Sequence, residues 1–298
     1  MEISKKWNEF ILNWLIKISG YSAIIFVLMI FYFLVREGIP SIGQVSLSNL
    51  ISIRWYPIEN YFGLLPLIGG SILVTLGAAA FAIPVGICTA IFIAEIAPRW
   101  ARDILKPLVE VLGGIPSVVL GFLGILILAP ELRRLLTLPT GLTALAGSIL
   151  LGGVAIPTII SVAEDAIDSV PKSYRDAALA LGATPWQTIW KVTLPAARSG
   201  VLTAIMLGIG RAIGETMAVM MVTGNAPVFP VKINSFISPI RTMTATIAAE
   251  MGEVAKDSTH YYVLFFIGLV LFLISLGINI AASTALFKER KRAERILS

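Results

Sequence analysis

Asp176-Ala-Ala-Leu-Ala-Leu-Gly182-Ala-Thr-Pro-Trp-Gln-Thr-Ile-Trp-Lys-Val-Thr-Leu194-Pro195 is a polar, helix-punctuated stretch between two hydrophobic runs of an otherwise oily chain. Ser173-x-x-Asp176 has the spacing of a capping box, and Ala177 to Leu181 is strong helix-forming sequence. Gly182 fits the position just past a helix end, where a left-handed residue is commonest. Thr184-Pro185-Trp186-Gln187 supplies a second start: Thr as N-cap, Pro at the first helical position, Gln three residues after the cap. The stretch predicts two short helices joined at a glycine, with a shallow surface suited to docking a soluble partner. Ala177, Ala178 and Gly182 are expected to leave room for that partner's walls. Trp186 and Trp190 are expected to pack the second helix back onto the protein.

The surroundings are those of a membrane protein. Of 298 residues, 57% are hydrophobic and 14% charged, and the mean hydropathy is +0.87; soluble domains carry about 25% charged residues. Apolar runs long enough to span a bilayer fall at about 14–35, 68–97, 107–129, 139–163, 199–223 and 261–287. Pro84 is expected to kink the second, and Pro107 with Glu110 to open the third. The first run lacks the short core and small-residue cut of a signal peptide and is expected to be retained. With six spans, fifteen lysines and arginines lie in segments on the N-terminal side and seven opposite. The positive-inside bias then puts both termini, and the 164–198 loop, in the cytoplasm.

Several classes find no support. The net charge of +5 is spread over loops and ends, which does not indicate nucleic-acid binding. Cys88 and His260 are the single cysteine and histidine, so neither a disulfide nor a His/Cys metal site is expected. No Gly-x4-Gly-Lys-Ser/Thr loop is present to cradle a nucleotide, and no cofactor is expected. Gly208, Gly210 and Gly214 lack the spacing and preceding strand of a dinucleotide fingerprint. They read, with Gly77, Gly113-Gly114 and Gly152-Gly153, as small faces for close helix packing. No nucleophile–base pair marks an enzyme.

Arg211 and Glu215 stand in the fifth span, where an isolated charge costs roughly 2.5–3.5 kcal/mol on insertion scales. In a continuous helix the i, i+4 spacing puts them on one face, able to neutralise each other. They are either an ion pair gluing helices or a site on a pathway. Arginine's planar fork suits a tetrahedral oxyanion. The glutamate would orient that fork, or accept the proton that hydrogen phosphate has and sulfate lacks.

The Asp-Ala-Ala, Gly182, Val192, Leu194-Pro195 spacing resembles the EAA loop of ABC-importer permeases, with Asp for the usual Glu and Val for the usual Ile. Gly-Arg211-Ala-Ile-Gly-Glu215-Thr-Met-Ala-Val is similar to the fifth-span motif of the phosphate-specific (Pst) permeases, and Thr-Met-Ala-Val looks like their PstC branch. Gly63-Leu-Leu-Pro66, Gly69-Gly-Ser and Gly114-Ile-Pro-Ser-Val-Val-Leu-Gly121 resemble the same branch.

The resemblance implies an all-α integral membrane fold with six transmembrane helices, the type I (MetI-like) importer core. Residues 1–69 would hold the first span and outer loop, 70–283 the transmembrane domain with its coupling loop at 173–195, and 284–298 a basic tail. It implies Arg211 and Glu215 as substrate-pathway residues, and Asp176, Ala177, Ala178, Gly182, Leu194 and Pro195 as contacts to an ATPase. The implied partners are a second, PstA-like permease, a PstB-like ATPase dimer, a PstS-like extracytoplasmic phosphate-binding protein, phosphate and the lipid bilayer. The outer stretch around Thr242 to Val254 is expected to help receive the binding protein. Permeation of another oxyanion, or ion-coupled transport using Arg211 and Glu215 as a relay, are the alternatives.

Overall fold

A bilayer leaves backbone groups no water to bond, so spanning segments satisfy them internally as helices. The computed structural model, which describes residues 2–231 and 233–297 in backbone and the side chains of 12–231, 234–281, 283 and 284, is helical nearly throughout. The N-terminal part comprises α1 (Glu2–Gly38), α2 (Pro40–Gln44), α3 (Leu47–Leu50) and the hairpin β1 (Trp55–Tyr56) and β2 (Tyr61–Phe62). Then follow α4 (Leu65–Ile91), α5 (Arg99–Gly113), α6 (Ser117–Leu123), α7 (Ala129–Leu135) and α8 (Ala144–Asp168). The second half holds α9 (Lys172–Ala180), α10 (Pro185–Thr188), α11 (Leu194–Gly214), α12 (Met217–Val222), α13 (Met243–Glu250) and α14 (Thr259–Leu297).

Five stretches are long and apolar enough to cross a membrane: Leu12–Gln44, Leu65–Ile96, Ala144–Asp168, Pro185–Gly214 and Thr259–Ala281. A sixth is the pair Arg99–Gly113 and Ser117–Leu135, bent by 91° at the intervening residues. The expected third span at 107–129 is thus a broken one, and Pro107 lies inside α5 instead of starting a helix. Gly113-Gly114-Ile115-Pro116 explains the break, because the residue before proline is driven out of helical geometry. The fifth span also stops short of 223: α11 ends at Gly214 and Glu215 is extended, with ψ of 128°.

α8 is the central post, packed on α4 and α11, while α1 lies on α14. Small residues set these distances. A methyl added at Gly208 would sit 2.4 Å from Ile159 Cγ1, and one at Gly86 2.7 Å from Ile159 Cγ2, so α11 and α4 close on one isoleucine of α8. Gly200 meets the Ala166 methyl in the same way. Gly210 and Gly214 face open space, with no described residue within 4 Å of an added methyl. Most of the side chains from 12 to 30, including Leu15, Ile18 and Phe26, are exposed, as a helix in lipid requires.

The end of the bundle opposite the 172–195 loop is closed by a polar knot within an aromatic shell. Glu250 accepts hydrogen bonds from Trp55 Nε1 at 3.2 Å and from Arg241, and pairs with His260 Nε2 at 2.8 Å. Trp55 meets the Phe62 and His260 rings edge on, and Phe62 and His260 are tilted against each other. Burial alone would raise the Glu250 pKa, but the His260 bond, the Arg241 charge and the Trp55 bond outweigh it and hold the carboxyl below its ordinary value. α13 is drawn inward here. Met243, Thr244, Ala245 and Thr246 are buried, and Met243 N donates to Ser71 Oγ at 2.9 Å. The first turn of the stretch expected to receive a partner is therefore core, not surface.

Two stability measurements follow. Overpacking typically costs about 1–3 kcal/mol, so Gly208→Val should lower the thermal midpoint of the purified protein while Gly210→Ala should not; equal shifts would contradict the packing described. Because the Glu250 pKa is lowered on folding, its contribution is complete above the ordinary value of about 4.5 and fades as the pH falls through the lower folded value. Glu250→Gln should lower the midpoint near neutrality and flatten its decline in acid, and an unchanged acid profile would count against this.

Candidate functional site

Where the two broken spans meet, the site is built around their loose ends. The last carbonyls of a helix lack intrahelical partners, and in α5 one of them, Gly113 O, accepts from Arg211 Nη2 at 2.9 Å. Arg211 Nη1 donates to Thr158 Oγ1 of α8 at 3.1 Å. Arg211 itself lies in the last turn of α11, so its guanidinium joins α11, α8 and the bend of the third span. The side chain remains exposed, and its fork keeps donors beyond these two bonds.

Glu215 does not pair with Arg211. Because α11 ends at Gly214, the two residues no longer share a helical face, and no ion pair joins them among the described residues. Glu215 Oε1 instead accepts from Thr216 N at 3.0 Å and Ala218 N at 3.3 Å, capping α12. Thr244 Oγ1 donates to the Glu215 carbonyl at 3.2 Å. Glu215 also lines a cavity of about 10 Å³ with Ser71, Thr75, Thr242 and Thr244 and with apolar neighbours such as Leu151 and Val219. The expected mutual neutralisation is replaced by separate partners: backbone amides for the acid, helix-end and hydroxyl oxygens for the base. Thr158 and Gly113 are not among the residues expected from sequence, although the Gly-Gly-Ile-Pro and Pro157-Thr158 interruptions of apolar runs are visible signals.

The 172–195 loop has the two-helix form expected, with three corrections. Gly182, at φ of +85°, ends α9 in a Schellman turn: Gly182 N bonds Leu179 O at 2.9 Å and Ala183 N bonds Ala178 O at 3.1 Å. Thr184 and Gln187 form a reciprocal capping box at 3.2 and 3.0 Å. The Ser173 box is not formed, because α9 already starts after Pro171, without a side-chain cap. Ala178 faces inward at 8% exposure. Trp186 and Trp190 stack edge to face at 5.8 Å, half exposed, and are not buried against the bundle. Asp176, Ala177, Leu181 and Gly182 are exposed, Pro195 is exposed, and Leu194 is half-buried at the start of α11.

Beneath this surface lies a charge network that no local sequence pattern marks. Arg175 bonds Glu95 Oε1 through Nε at 2.9 Å and Nη2 at 2.6 Å, and also bonds Val170 O and Ile167 O at 2.6 and 2.9 Å. Glu164, 1% exposed, takes Arg102 on one oxygen and Lys106 on the other, each at 2.7 Å. Asp168 and Asp165 complete the set at 3.0 and 2.7 Å. Among the described residues, no group of three or more His, Cys, Asp or Glu is arranged to hold a metal.

Comparison with known proteins gives one consistent family. The family described as "Binding-protein-dependent transport system inner membrane component" matches residues 82–292. The probable ABC transporter permease protein YqgH of Bacillus subtilis (strain 168) is 43% identical over 248 residues, 82% of this chain and 79% of that one. The phosphate transport system permease protein PstC of Xylella fastidiosa (strain Temecula1) is 33% identical, covering 84% and 82%. That of Haemophilus influenzae (strain Rd) is 29% identical, covering 92% and 93%. Among solved structures, a bacterial alginate ABC transporter has a TM-score of 0.64 at 16% identity, covering 93% of this chain and 95% of its own. The MetNI methionine transporter has 0.59 at 20%, covering 79% and 99%. These two establish a shared MetI-like fold only. With broken apolar spans around a membrane arginine, a two-helix loop and a family match over most of its length, the chain belongs to the inner-membrane components of binding-protein-dependent transport systems.

Proposed function

We propose that this chain is the phosphate-conducting permease subunit of an ATP-binding cassette importer, a multi-pass inner-membrane protein without bond chemistry of its own. Relatives named as phosphate permeases support the cargo. The observation that carries the chemistry is Arg211: a guanidinium at the meeting of two helix breaks, bonded among the described residues to neutral oxygens and not to Glu215. A cation so held retains its full charge, and its spare donors match a tetrahedral oxyanion.

An extracytoplasmic, PstS-like binding protein delivers phosphate at the outer face. Phosphate reaches Arg211 with the Thr158 hydroxyl beside it. ATP-driven closure of a PstB-like ATPase dimer then moves the 172–195 loops of this chain and of a PstA-like second permease, and access alternates. Asp176, Ala177, Gly182 and Pro195 belong to the docking face, together with exposed Leu181; Ala178 and Leu194 shape it from beneath. Both termini lie in the cytoplasm, as the positive-inside bias requires. The basic side chains of the 284–298 tail lie outside the described ones. Glu215, held by two amides, serves the pathway as the cap that keeps the α11 break open. The neutral oxygens that hold Arg211 favour a second reading in which the path conducts other tetrahedral oxyanions as well, with the binding protein choosing among them.

In proteoliposomes holding the assembled importer, Arg211→Gln should cut labelled phosphate uptake by more than about tenfold, the scale of losing a charged hydrogen-bonded partner, with assembly intact. Normal uptake would refute the pathway role. Leu181 is 90% exposed, so Leu181→Glu leaves this chain's packing alone. Loss of the co-purifying ATPase from Leu181→Glu is expected, and its full retention with normal uptake would count against docking there.

A further inference from the structure

We propose that Arg175 and Glu95 form the joint that carries movement of the 172–195 loop to the helix break at Arg211. The inference rests on the importer function proposed above. Arg175 sits on α9 next to exposed Asp176 and Ala177, yet its own side chain is only 18% exposed and turned inward. There it does two things. Its bonds to Ile167 O and Val170 O satisfy carbonyls at the end of α8, fixing α9 to the central post. Its two bonds to Glu95 hold the last turn of the second span, Phe92–Ile96.

From Glu95 the connection continues without slack. Ala97 and Pro98 are extended, with ψ of 133° and 155°, and α5 begins at Arg99. α5 is fifteen residues of continuous helix with Pro107 in its interior, about 22 Å long. Arg102 and Lys106 hold it to Glu164, Asp165 and Asp168 of α8. Its far end is Gly113, whose carbonyl Arg211 holds. A displaced α9 therefore loads Glu95, then the foot of α5, then the Gly113–Arg211 bond, along contiguous charged and rigid groups. The bend at 114–116 gives that displacement a hinge. Arg175 and Glu95 are positioning residues, since neither touches substrate.

The test uses the assembled importer in proteoliposomes, measuring labelled phosphate imported per ATP hydrolysed. Glu95→Ala should keep the ATPase bound and hydrolysing while phosphate per ATP falls about tenfold, within the usual range of coupling between sites. Glu95→Asp should recover part of the ratio. An unchanged ratio in Glu95→Ala, or loss of hydrolysis and uptake in equal proportion, would overturn the proposal and leave Arg175 a structural cap. If Glu95→Ala does not assemble, Glu95→Gln with Arg175→Gln strands no buried charge. In that double variant a fallen ratio again supports the joint, and an unchanged one overturns it. A wild-type complex that moves no phosphate would sink the importer function itself, before any variant is compared.

Discussion

In hydrocarbon each unpaired peptide group costs several kcal/mol, so a membrane span is broken only where protein or a water-lined cavity takes over its bonds. This chain breaks two spans against each other. α5 stops at Gly113 and α11 at Gly214, and side chains from the second break close both: Arg211 caps the end of α5, while Glu215 caps the start of α12. Thr244, from the inward-drawn α13, holds the Glu215 carbonyl. The tight contacts of Gly86 and Gly208 on Ile159 bring α4, α8 and α11 close enough to support this arrangement.

The same bonds decide the electrostatics. Had α11 continued, Glu215 would have neutralised Arg211 and left a dry helix–helix pair. The break separates them, the acid turning to amides and the base to neutral oxygens. A positive, exposed fork with a hydroxyl beside it is what an anion path needs. In the proposed importer, energy would reach that fork from the cytoplasmic ATPase, and the Arg175, Glu95 and α5 series offers a continuous route for it.

Much of this is legible in sequence wherever the signal is local. Gly182 takes its left-handed turn and Thr184 with Gln187 its capping box, because each depends on a few neighbouring residues. The apolar runs mark the spans for the same reason. Where the structure departs from the local pattern, tertiary context is the common cause. An Arg211–Glu215 pair requires a continuous helix, and Gly113-Gly114-Ile-Pro fits a close-packed face as readily as a break. Ser173 loses its cap role to Pro171, which starts α9 earlier. Ala178 and the two tryptophans turn to the opposite sides from those expected, because a loop's inner face is set by what it packs on. Glu95 and Arg175 lie 80 residues apart, and no local pattern links them.

The central claim, that the break at Arg211 opens on an aqueous path for an oxyanion, has a direct test. Gly214 lies three residues beyond Arg211 and faces open space. In a Cys88→Ser background, Gly214→Cys should react with a membrane-impermeant thiol reagent in the assembled importer, and phosphate should slow that reaction where chloride does not. A cysteine that stays unreactive, or one whose labelling ignores phosphate, would contradict the account.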